Sequence, residues 1–295
     1  MPPVAIIGVT GFIGRGLPAL FAQHGMASTG VSRSGNGNVP GLTRWQTPAT
    51  LDLSHHHAVI NLAGEPIARR WTTANRQRFH ASRVGLTRRV VEALRALPPA
   101  ARPKVLINAS AVGIYGDRGD QVLTEESAPG SGYLTDLCGA WEDAAMEAEA
   151  LGVRVVCLRT GLVLGRDAAA FEKIRRVFAV GLGGRLGTGR QWMPWIHLAD
   201  LRRVIVRAVL SDSLRGAINC TAPASERNRD FTRKLATALH RPAILPVPGC
   251  LLKLALGGFG GALLASQHVR PAVLEADDFT FHFPTLESAL ADLLV

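Results

Sequence analysis

The chain has 295 residues, 47% of them hydrophobic, and a formal net charge of +10. This composition indicates a globular protein with a large buried core, and the length predicts one domain plus a smaller appendage. The positive charge is compatible with either a nucleic acid or an anionic small molecule as a partner. Sequence motifs are needed to distinguish these two classes of partner.

Targeting and redox signals favour a cytoplasmic protein without a metal. The start of the chain leads directly into an apolar segment, without the basic region or cleavage site of a signal peptide. The longest apolar stretch, residues 250–265, is short for a membrane span and contains Lys253 and four glycines, so we expect a packed helical hairpin and no membrane partner. The four cysteines are scattered without a C-x-x-C pair, which favours reduced thiols over a disulfide or zinc site.

The first predicted unit is a strand at residues 4–7 that leads into a glycine-rich turn. Gly8 permits a sharp turn, and Gly11 lets a pyrophosphate approach the backbone, because glycine has no Cβ. Gly14 lets the following helix, residues 11–21, lie close to the strand. Backbone N–H groups and the helix dipole would then face the anion, so the pattern predicts a dinucleotide-phosphate site rather than a plain strand-helix turn.

The second predicted strand, residues 27–31, leads into Ser32, Arg33 and Ser34. In a dinucleotide fold an acidic residue at this place binds the ribose hydroxyls, whereas an arginine binds a 2′-phosphate. The first acidic residue of the chain is Asp52. Arg33 with Ser32 therefore favours NADP over NAD, although an exposed loop arginine without a ligand is the alternative interpretation.

The middle of the chain alternates further strands with helices. Strands are predicted at residues 58–64, 104–110, 153–158 and 217–220, and helices at 73–97, 137–151 and 198–210. This alternation is typical of an α/β fold with a Rossmann doubly wound parallel sheet and helices on both faces. Ligands of such sheets bind at the carboxyl ends of the strands. Four candidate residues fall there, namely Gly8, Arg33, Gly64 and Ser110.

After Gly165 the pattern changes to a glycine-rich loop at residues 181–190, followed by Trp192 and Trp195. A loop that closes over a ligand and a surface connection with an aromatic plug both remain open. We assign residues 1–165, with 194–221 returning to them, to the dinucleotide-binding domain, and residues 166–193 and 222–295 to a smaller C-terminal substrate lobe.

Eight arginines between Arg69 and Arg95 form the densest basic patch. On the helix predicted at residues 73–97 they point in several directions, so they form no single stripe. A solvated helix face and an electropositive approach to an anionic ligand both remain open. No aromatic-interleaved basic motif accompanies the charge, so we expect no nucleic-acid partner.

Several motifs resemble the extended short-chain dehydrogenase/reductase family. They are Gly8-x-Thr10-Gly11-Phe12-Ile13-Gly14 and the segments 61–67, 110–116 and 195–200. The segments 70–72, 82–83, 141–142 and 159–165, with the loop at 183–189, more closely resemble its atypical branch, labelled nucleoside-diphosphate-sugar epimerase. The resemblance covers nearly the whole chain, including a small C-terminal domain of unknown function.

The resemblance implies a Rossmann fold that binds NADP. It also implies reversible hydride transfer on a nucleotide-sugar or another small carbonyl or hydroxyl substrate. The cofactor-binding residues that it adds to the glycines, Ser32 and Arg33 are Thr10, Phe12, Ile13, Leu62, Ala63, Gly64 and Arg83.

The family's Tyr-x-x-x-Lys pair, which moves the protons, is missing from this chain. Neither Tyr115 nor Tyr133 has a lysine four residues later, and counting back from Glu142 places the expected tyrosine on Leu134 and the expected lysine on Cys138. An unaided phenol with a pKa of ~10 is only ~0.1% ionised at pH 7, a handicap of roughly 4 kcal/mol. Tyr133 is a catalytic candidate only through a one-residue shift.

Ser110 and Glu65 are the other catalytic candidates. Ser110 would donate a hydrogen bond to a developing carbonyl oxygen, and Glu65 would act as replacement acid or base. Both have a structural interpretation as well, as a strand-end hydroxyl and a helix-dipole cap. Asn61, Arg83 and Tyr115 are secondary candidates.

The remaining polar clusters are interpreted as structural. His55, His56 and His57 alternate faces of an extended segment and predict no metal site, and His197 precedes a helix. The acidic run Glu142, Asp143, Glu147 and Glu149 predicts a solvated helix face. The sequence thus predicts an NADP-dependent oxidoreductase or epimerase with a non-standard acid/base set, the alternative being a non-catalytic NADP sensor or scaffold. A homodimer is left open.

Overall fold

The computed structural model describes residues 2–42 and 44–294. The strands are β1 Val4–Ile7, β2 Ser28–Val31, β3 Arg44–Gln46, β4 Ala58–Asn61, β5 Val105–Ala111, β6 Val122–Leu123, β7 Arg154–Thr160, β8 Leu162–Leu164, β9 Trp192–Met193, β10 Trp195–His197, β11 Gly216–Cys220, β12 Glu226–Arg227 and β13 His268–Val269. The α-helices are α1 Leu17–Gln23, α2 Thr73–His80, α3 Leu86–Arg95, α4 Tyr133–Met146, α5 Ala169–Ala179, α6 Leu198–Leu210, α7 Asn228–Ala238, α8 Gly249–Leu256, α9 Gly258–Ala262, α10 Ala272–Ala276 and α11 Leu286–Leu293.

Seven strands form one parallel sheet in the order β11-β7-β5-β4-β1-β2-β3. β1 lies between β2 and β4, with Ile6 opposite Gly30 and Ile60. The chain runs outward from β1 to β3 and then returns to β4 on the other side, so the strand order reverses between β1 and β4. The predicted Rossmann doubly wound α/β fold is confirmed.

The side chains of the strands alternate between the two faces of the sheet. Val4 and Ile6 pack with α1 and α6 in one apolar cluster. Ala5 and Ile7 pack with α3 and α4 in another. Because helices cover both faces, β1 is apolar at all four positions, and β4 and β5 are apolar as far as Asn61 and Asn108.

Two helices differ from the predicted boundaries. A 3-10 turn, Gly14–Gly16, precedes α1, so the helix starts later than the predicted residue 11 because the glycine turn occupies the residues before it. A π-helical turn, Ala81–Gly85, interrupts the single helix predicted at 73–97 and joins α2 to α3. Such turns re-aim side chains and are frequent at functional sites. Here it carries Ser82 and Arg83.

A third apolar cluster lies outside the sheet. Phe171 and Phe178 of α5, Phe231 of α7 and Leu290 of α11 pack around the fully buried Trp195. Residues that precede 194 in the chain and residues that follow 221 therefore belong to the same apolar cluster.

Residues 250–265 form the predicted helical hairpin, α8 and α9. Gly260 of α9 lies so close to the carbonyl of Leu252 in α8 that a Cβ would overlap it. α8 itself has no buried residue. No helix in residues 2–42 and 44–294 combines the length and apolarity needed to cross a membrane.

Candidate cofactor and active site

The carboxyl ends of β1, β2 and β4 open onto a cavity of about 590 Å³. It lies where the strand order reverses, the place at which such sheets bind ligands. The structure brings together there eight of the predicted cofactor residues, namely Gly8, Thr10, Gly11, Ser32, Arg33, Leu62, Ala63 and Gly64. Phe12, Ile13, Gly14 and Arg83 are not part of its lining.

The three glycines of the turn allow close backbone approaches. Gly8 has a φ of +81°, and a Cβ on it would lie 3.0 Å from the backbone nitrogen of Ala63. A Cβ on Gly14 would lie 2.6 Å from the carbonyl oxygen of Gly8, and one on Gly11 would lie 3.1 Å from the same oxygen. The turn therefore has the backbone geometry that a phosphate cradle requires.

The turn is held from the far side by Arg202 of α6. Its guanidinium donates to the carbonyl oxygens of Phe12 at 2.8 Å and Ile13 at 2.9 Å. Among the described residues, nothing accepts a hydrogen bond from the N–H groups of Phe12 and Ile13. Those two donors are therefore free to bind an anion at the turn, next to Gly11 of the cavity lining. Arg202 was missed in the sequence, since it lies 189 residues after Ile13.

The cavity is electropositive. Its lining contains the guanidinium-bearing side chains of Arg33, Arg69 and Arg89 and one carboxylate, Glu65. A Glu65 oxygen lies 4.0 Å from Arg33 Nη1 and the other 3.8 Å from Arg69 Nη2. The Arg33 side chain is 95% exposed. This excess of cations supports an electropositive approach to an anionic ligand for this part of the arginine patch.

Arg83 does not line the cavity, but it contacts the backbone of Glu65, which does. It donates to the carbonyl oxygen of Glu65 at 3.0 Å, and Ser82 Oγ accepts from the Glu65 N–H at 3.1 Å. The Arg83 guanidinium also lies over the ring of Trp141, 5.2 Å from its centre. The π-helical turn thus fixes the segment that follows β4, including Gly64, whose Cβ would lie 3.2 Å from Arg83 Cζ.

Ser110 belongs to a buried ionic network. Its hydroxyl donates to Glu142 Oε1 at 2.6 Å, and Arg159 donates to both oxygens of Glu142, at 3.0 and 2.8 Å. The ion-paired side chains are only 10% and 12% exposed. The prediction of a solvated face is therefore wrong for Glu142, which lies on the buried side of α4, and right for Asp143, Glu147 and Glu149. Although burial opposes the charge, the hydrogen bonds to Glu142 raise the pKa of Arg159 above its usual range.

Two of the secondary candidates are also held in the core. The Tyr115 hydroxyl accepts from Arg159 at 3.0 Å and donates to Asn219 Oδ1 at 2.7 Å. Burial raises the pKa of this phenol. Asn61 donates to the hydroxyl of Thr87 at 3.0 Å and to Asn108 Oδ1 at 2.8 Å. Neither side chain faces the cavity.

Leu134 and Cys138 lie at the positions where counting back from Glu142 predicts the family's tyrosine and lysine. A Cβ on Gly113 would lie 3.2 Å from Leu134 Cβ and 3.7 Å from Cys138 Sγ, so both side chains of α4 face the end of β5. Burial raises the pKa of Cys138 to about 12, so its thiol is neutral near pH 7. Neither group can replace a tyrosinate activated by lysine.

Tyr133 lies at the start of α4 in an aromatic cluster. Its ring is 5.1 Å from that of Trp71, which is 6.3 Å from that of Phe259 in α9. Arg76 lies over the Tyr133 ring at 4.6 Å, and the hydroxyl is 3.4 Å from the Arg76 carbonyl oxygen. Burial raises the pKa of Tyr133, with Arg76 acting in the opposite direction. The α8–α9 hairpin therefore contacts Trp71, and Trp71 in turn contacts Tyr133.

His56 and His197 each contact groups of the protein. His56 bonds the carbonyl of Ser54 at 3.0 Å and the hydroxyl of Thr29 at 3.1 Å. His197 Nδ1 accepts from the N–H of Ala199 at 3.2 Å and caps α6. No group of three metal-ligating side chains occurs among the described residues.

Residues 4–220 match the NAD dependent epimerase/dehydratase family. The chain belongs to this family. Residues 247–293, which include both helices of the hairpin, match a domain of unknown function, DUF1731. The predicted extended short-chain dehydrogenase/reductase assignment and its nicotinamide cofactor are thereby confirmed.

Individual relatives match over almost the whole chain. The epimerase family protein ML0860 of Mycobacterium leprae is 37% identical, covering 98% of this chain and 94% of the relative. The crystal structure of human epimerase family protein SDR39U1 with NADPH has a TM-score of 0.89 and 32% identity, covering 99% of this chain and 98% of that one. A nucleoside-diphosphate sugar epimerase from Corynebacterium glutamicum has a TM-score of 0.80 and 32% identity, covering 99% of this chain and 58% of that one.

Proposed function

We propose that the chain is an NADP-dependent oxidoreductase of the epimerase type, acting on a nucleotide-sugar or another small carbonyl or hydroxyl compound. The observation that carries the proposal is the glycine turn opening onto a cavity with three arginines and one carboxylate. The human relative crystallised with NADPH and the sugar epimerase from Corynebacterium support the cofactor and the substrate class.

The chain's residues fit a phosphorylated dinucleotide. We propose that the turn with Gly8, Thr10, Gly11, Phe12, Ile13 and Gly14 binds the diphosphate. Arg33 and Ser32 would bind the 2′-phosphate, and Leu62, Ala63 and Gly64 would form the opposite wall. The bound nicotinamide would supply the hydride chemistry.

The cofactor assignment is tested by comparing NADP and NAD affinities in Arg33→Ala. Removing a charge-assisted contact should weaken NADP by about tenfold and leave NAD unchanged. Arg78→Ala is the matched control, because Arg78 is an exposed arginine of α2 that does not line the cavity. Equal affinities in the unaltered chain, together with a silent Arg33→Ala, would contradict the assignment.

For the proton chemistry we propose Tyr133, Ser110 and Glu65 as candidates in that order. A phenol whose pKa is raised by burial is protonated at neutral pH, so Tyr133 can give a proton to a substrate oxygen but is a poor base. This favours reduction of a carbonyl over oxidation of a hydroxyl. Ser110 would have to release Glu142, and Glu65 would have to release Arg33 and Arg69.

The candidates are separated by NADPH oxidation with a panel of nucleotide-sugars and small carbonyl compounds. Loss of the true proton donor should lower kcat by about 100-fold or more, so Tyr133→Phe, Ser110→Ala and Glu65→Gln are measured separately. Unchanged NADP affinity in each variant would show that the cofactor site is intact. A Tyr133→Phe enzyme with full kcat would remove Tyr133 from the mechanism.

A non-catalytic NADP sensor or scaffold is the second candidate. The apolar Leu134 and the neutral Cys138 in place of the proton-transfer pair favour it. Tight NADP binding without turnover across the whole panel would select this function.

We further propose that residues 166–193 and 222–295 form the substrate lobe beside the dinucleotide-binding residues 1–165 and 194–221. The apolar cluster shared by α5, α7 and α11 supports placing these helices in one lobe. The contact of Phe259 with Trp71 supports the position of that lobe beside the dinucleotide-binding residues. A cytoplasmic location is proposed from the free, buried thiols of Cys138, Cys157 and Cys220.

Two further expectations have direct tests. Light scattering of the purified chain tests whether it forms a homodimer. A filter-binding assay at low salt tests the expected absence of nucleic-acid binding.

A further inference from the structure

The most exposed aliphatic side chains lie on one part of the C-terminal lobe. Five large apolar side chains of the described residues are more than half exposed, namely Val180, Leu182, Ile244, Leu251 and Leu254. We call these five residues the aliphatic face. They belong to the loop after α5, the segment before α8, and α8 itself.

The two segments that bear the aliphatic face are in contact. Arg241 Nε donates to the carbonyl oxygen of Ala179 at 2.9 Å. Leu186 forms a β-bridge with Val247, and the Gly249 that starts α8 lies against Gly187. The segments that carry the face are therefore joined at three places. An exposed aliphatic patch of this kind marks an interaction site.

The same surface is strongly basic. Residues 173–190 and 241–256 contain no Asp or Glu. Their cations are Lys173, Arg175, Arg176, Arg185, Arg190, Arg241 and Lys253, of which Arg175 and Arg176 pair with Glu172 at 3.0 and 2.8 Å. The partner of this surface should therefore carry negative charge beside apolar material.

A recess that suits phosphate groups adjoins the face. A cavity of about 530 Å³ is lined by Arg185, Arg229, Arg233 and Arg241, and Ile244 of the aliphatic face forms part of its wall. Arg229 and Arg233 share Asp230, at 3.5 and 3.1 Å. No carboxylate of the described residues lies within 4.0 Å of Arg185 or Arg241. Both guanidinium groups bond only backbone carbonyl oxygens among the described residues, so their positive charge is not neutralised beside the protruding aliphatic side chains.

We infer that the aliphatic face binds an anionic lipid surface, with its side chains at the level of the acyl chains and the arginines of the adjoining cavity on lipid phosphates. Lipid accepts separate protruding aliphatic side chains without shape complementarity, whereas a protein partner is usually anchored by aromatic groups in pockets. A second copy would bring the same seven cations against this surface. The binding needs no membrane-spanning helix and is independent of the proposed reaction, but it reverses the expectation of no membrane partner drawn from the apolar stretch at residues 250–265.

The structure supplies a selective reporter. Cys250 of α8 is an exposed free thiol, and the three other cysteines are buried. An environment-sensitive dye on Cys250 of the full chain should shift to shorter wavelength with vesicles of phosphatidylcholine containing about one third phosphatidylglycerol. Pure phosphatidylcholine vesicles should give at most about a tenth of that binding, and raising the salt from about 0.05 M to about 0.5 M should reverse it.

Three double variants, measured by vesicle co-sedimentation, test which side chains of this surface bind the vesicles. Leu251→Gln with Leu254→Gln should reduce partitioning at least about tenfold. Arg185→Gln with Lys253→Gln should reduce it about tenfold, at roughly three- to fivefold per charge. Val122→Gln with Leu210→Gln is the matched control, because these exposed aliphatic residues lie elsewhere, and it should change nothing. Unchanged NADP affinity checks the fold of each variant.

Several results would overturn the inference. They are absence of binding to anionic vesicles at low salt, equal binding to uncharged vesicles, and an equal loss in the Val122 and Leu210 control. Binding of soluble polyglutamate without binding of vesicles would assign the surface to an acidic protein partner instead. A dimer that the Leu251 and Leu254 substitutions dissociate would assign it to a second copy of the chain.

Discussion

Two regions at the carboxyl edge of the sheet differ in what they retain, the nucleotide end around the glycine turn and the proton-transfer end where α4 meets Gly113. At the nucleotide end, Gly8, Gly11 and Gly14 form a tight turn beside Arg33. At the proton-transfer end, α4 turns Leu134 and Cys138 toward Gly113, where the family has its tyrosine and lysine.

This difference reflects how each end is built. The nucleotide end consists mainly of backbone, and each glycine there is required by a close contact or a positive φ. The proton-transfer end depends on two side chains of α4, which substitutions can change while the helix stays in place. Membership of the family therefore predicts cofactor binding far better than it predicts the reaction.

The largest expected effect tests whether the network behind Ser110 is structural. Glu142→Leu leaves the guanidinium of Arg159 buried without its partner, which should cost about 3–5 kcal/mol of unfolding free energy. Urea denaturation measures it, and Asp143→Leu on the exposed side of the same helix is the control. A loss below about 1 kcal/mol would show that the pair is not a structural element and would leave Ser110 free to act as a hydrogen-bond donor in catalysis.

The contrast between the two ends also explains what the sequence could predict. The glycine turn and Arg33 follow their strands directly, so local patterns located them. The Ser110–Glu142–Arg159 network joins residues far apart in the chain, and it forms only when α4 packs on β5 and β7. The spacing of four between Cys138 and Glu142 places both on one helix face, a sign that Glu142 is buried which the acidic run concealed. Arg202, on α6, had no local sign at all.

The second prediction tests whether the glycine turn at the nucleotide end tolerates a side chain. A Cβ at Gly14 would lie 2.6 Å from the Gly8 carbonyl oxygen and 2.9 Å from Val9 Cα, and neither backbone atom can move cheaply. Gly14→Ala should therefore weaken NADP binding by about 100-fold, or about 2.7 kcal/mol. Calorimetry measures the affinity. Gly139→Ala in α4 is the matched control, since a Cβ there meets nothing within 4 Å.

If Gly14→Ala bound NADP as tightly as the unaltered chain, the close approach of α1 to β1 would not be needed for the cofactor. The nucleotide end would then tolerate side chains, and the contrast with the proton-transfer end would disappear.

The third prediction concerns a variant that reintroduces a tyrosine and a lysine at the proton-transfer end. Leu134→Tyr with Cys138→Lys restores a Tyr-x-x-x-Lys pair on the face of α4 that meets Gly113. We expect NADPH-dependent reduction of carbonyl compounds to rise at least about tenfold, because a lysine lowers the pKa of a neighbouring phenol. Leu134→Phe with Cys138→Met is the control for altered side-chain volume. A folded, NADP-binding double variant without any gain would show that the substrate is not bound at this end.

The smallest expected effect concerns Cys138 itself. Burial raises the pKa of this thiol from 9.0 to about 12, so the folded chain holds it neutral. The stability that this contributes is fully present below the unfolded pKa and is lost as the pH rises toward the folded one. Between about pH 8 and pH 10 the unaltered chain should lose about 1.4 kcal/mol more than Cys138→Ala does, as measured by urea denaturation. An equal loss in both would mean that Cys138 titrates in the folded chain near its ordinary pKa, and a thiolate base would then exist where the missing lysine belongs.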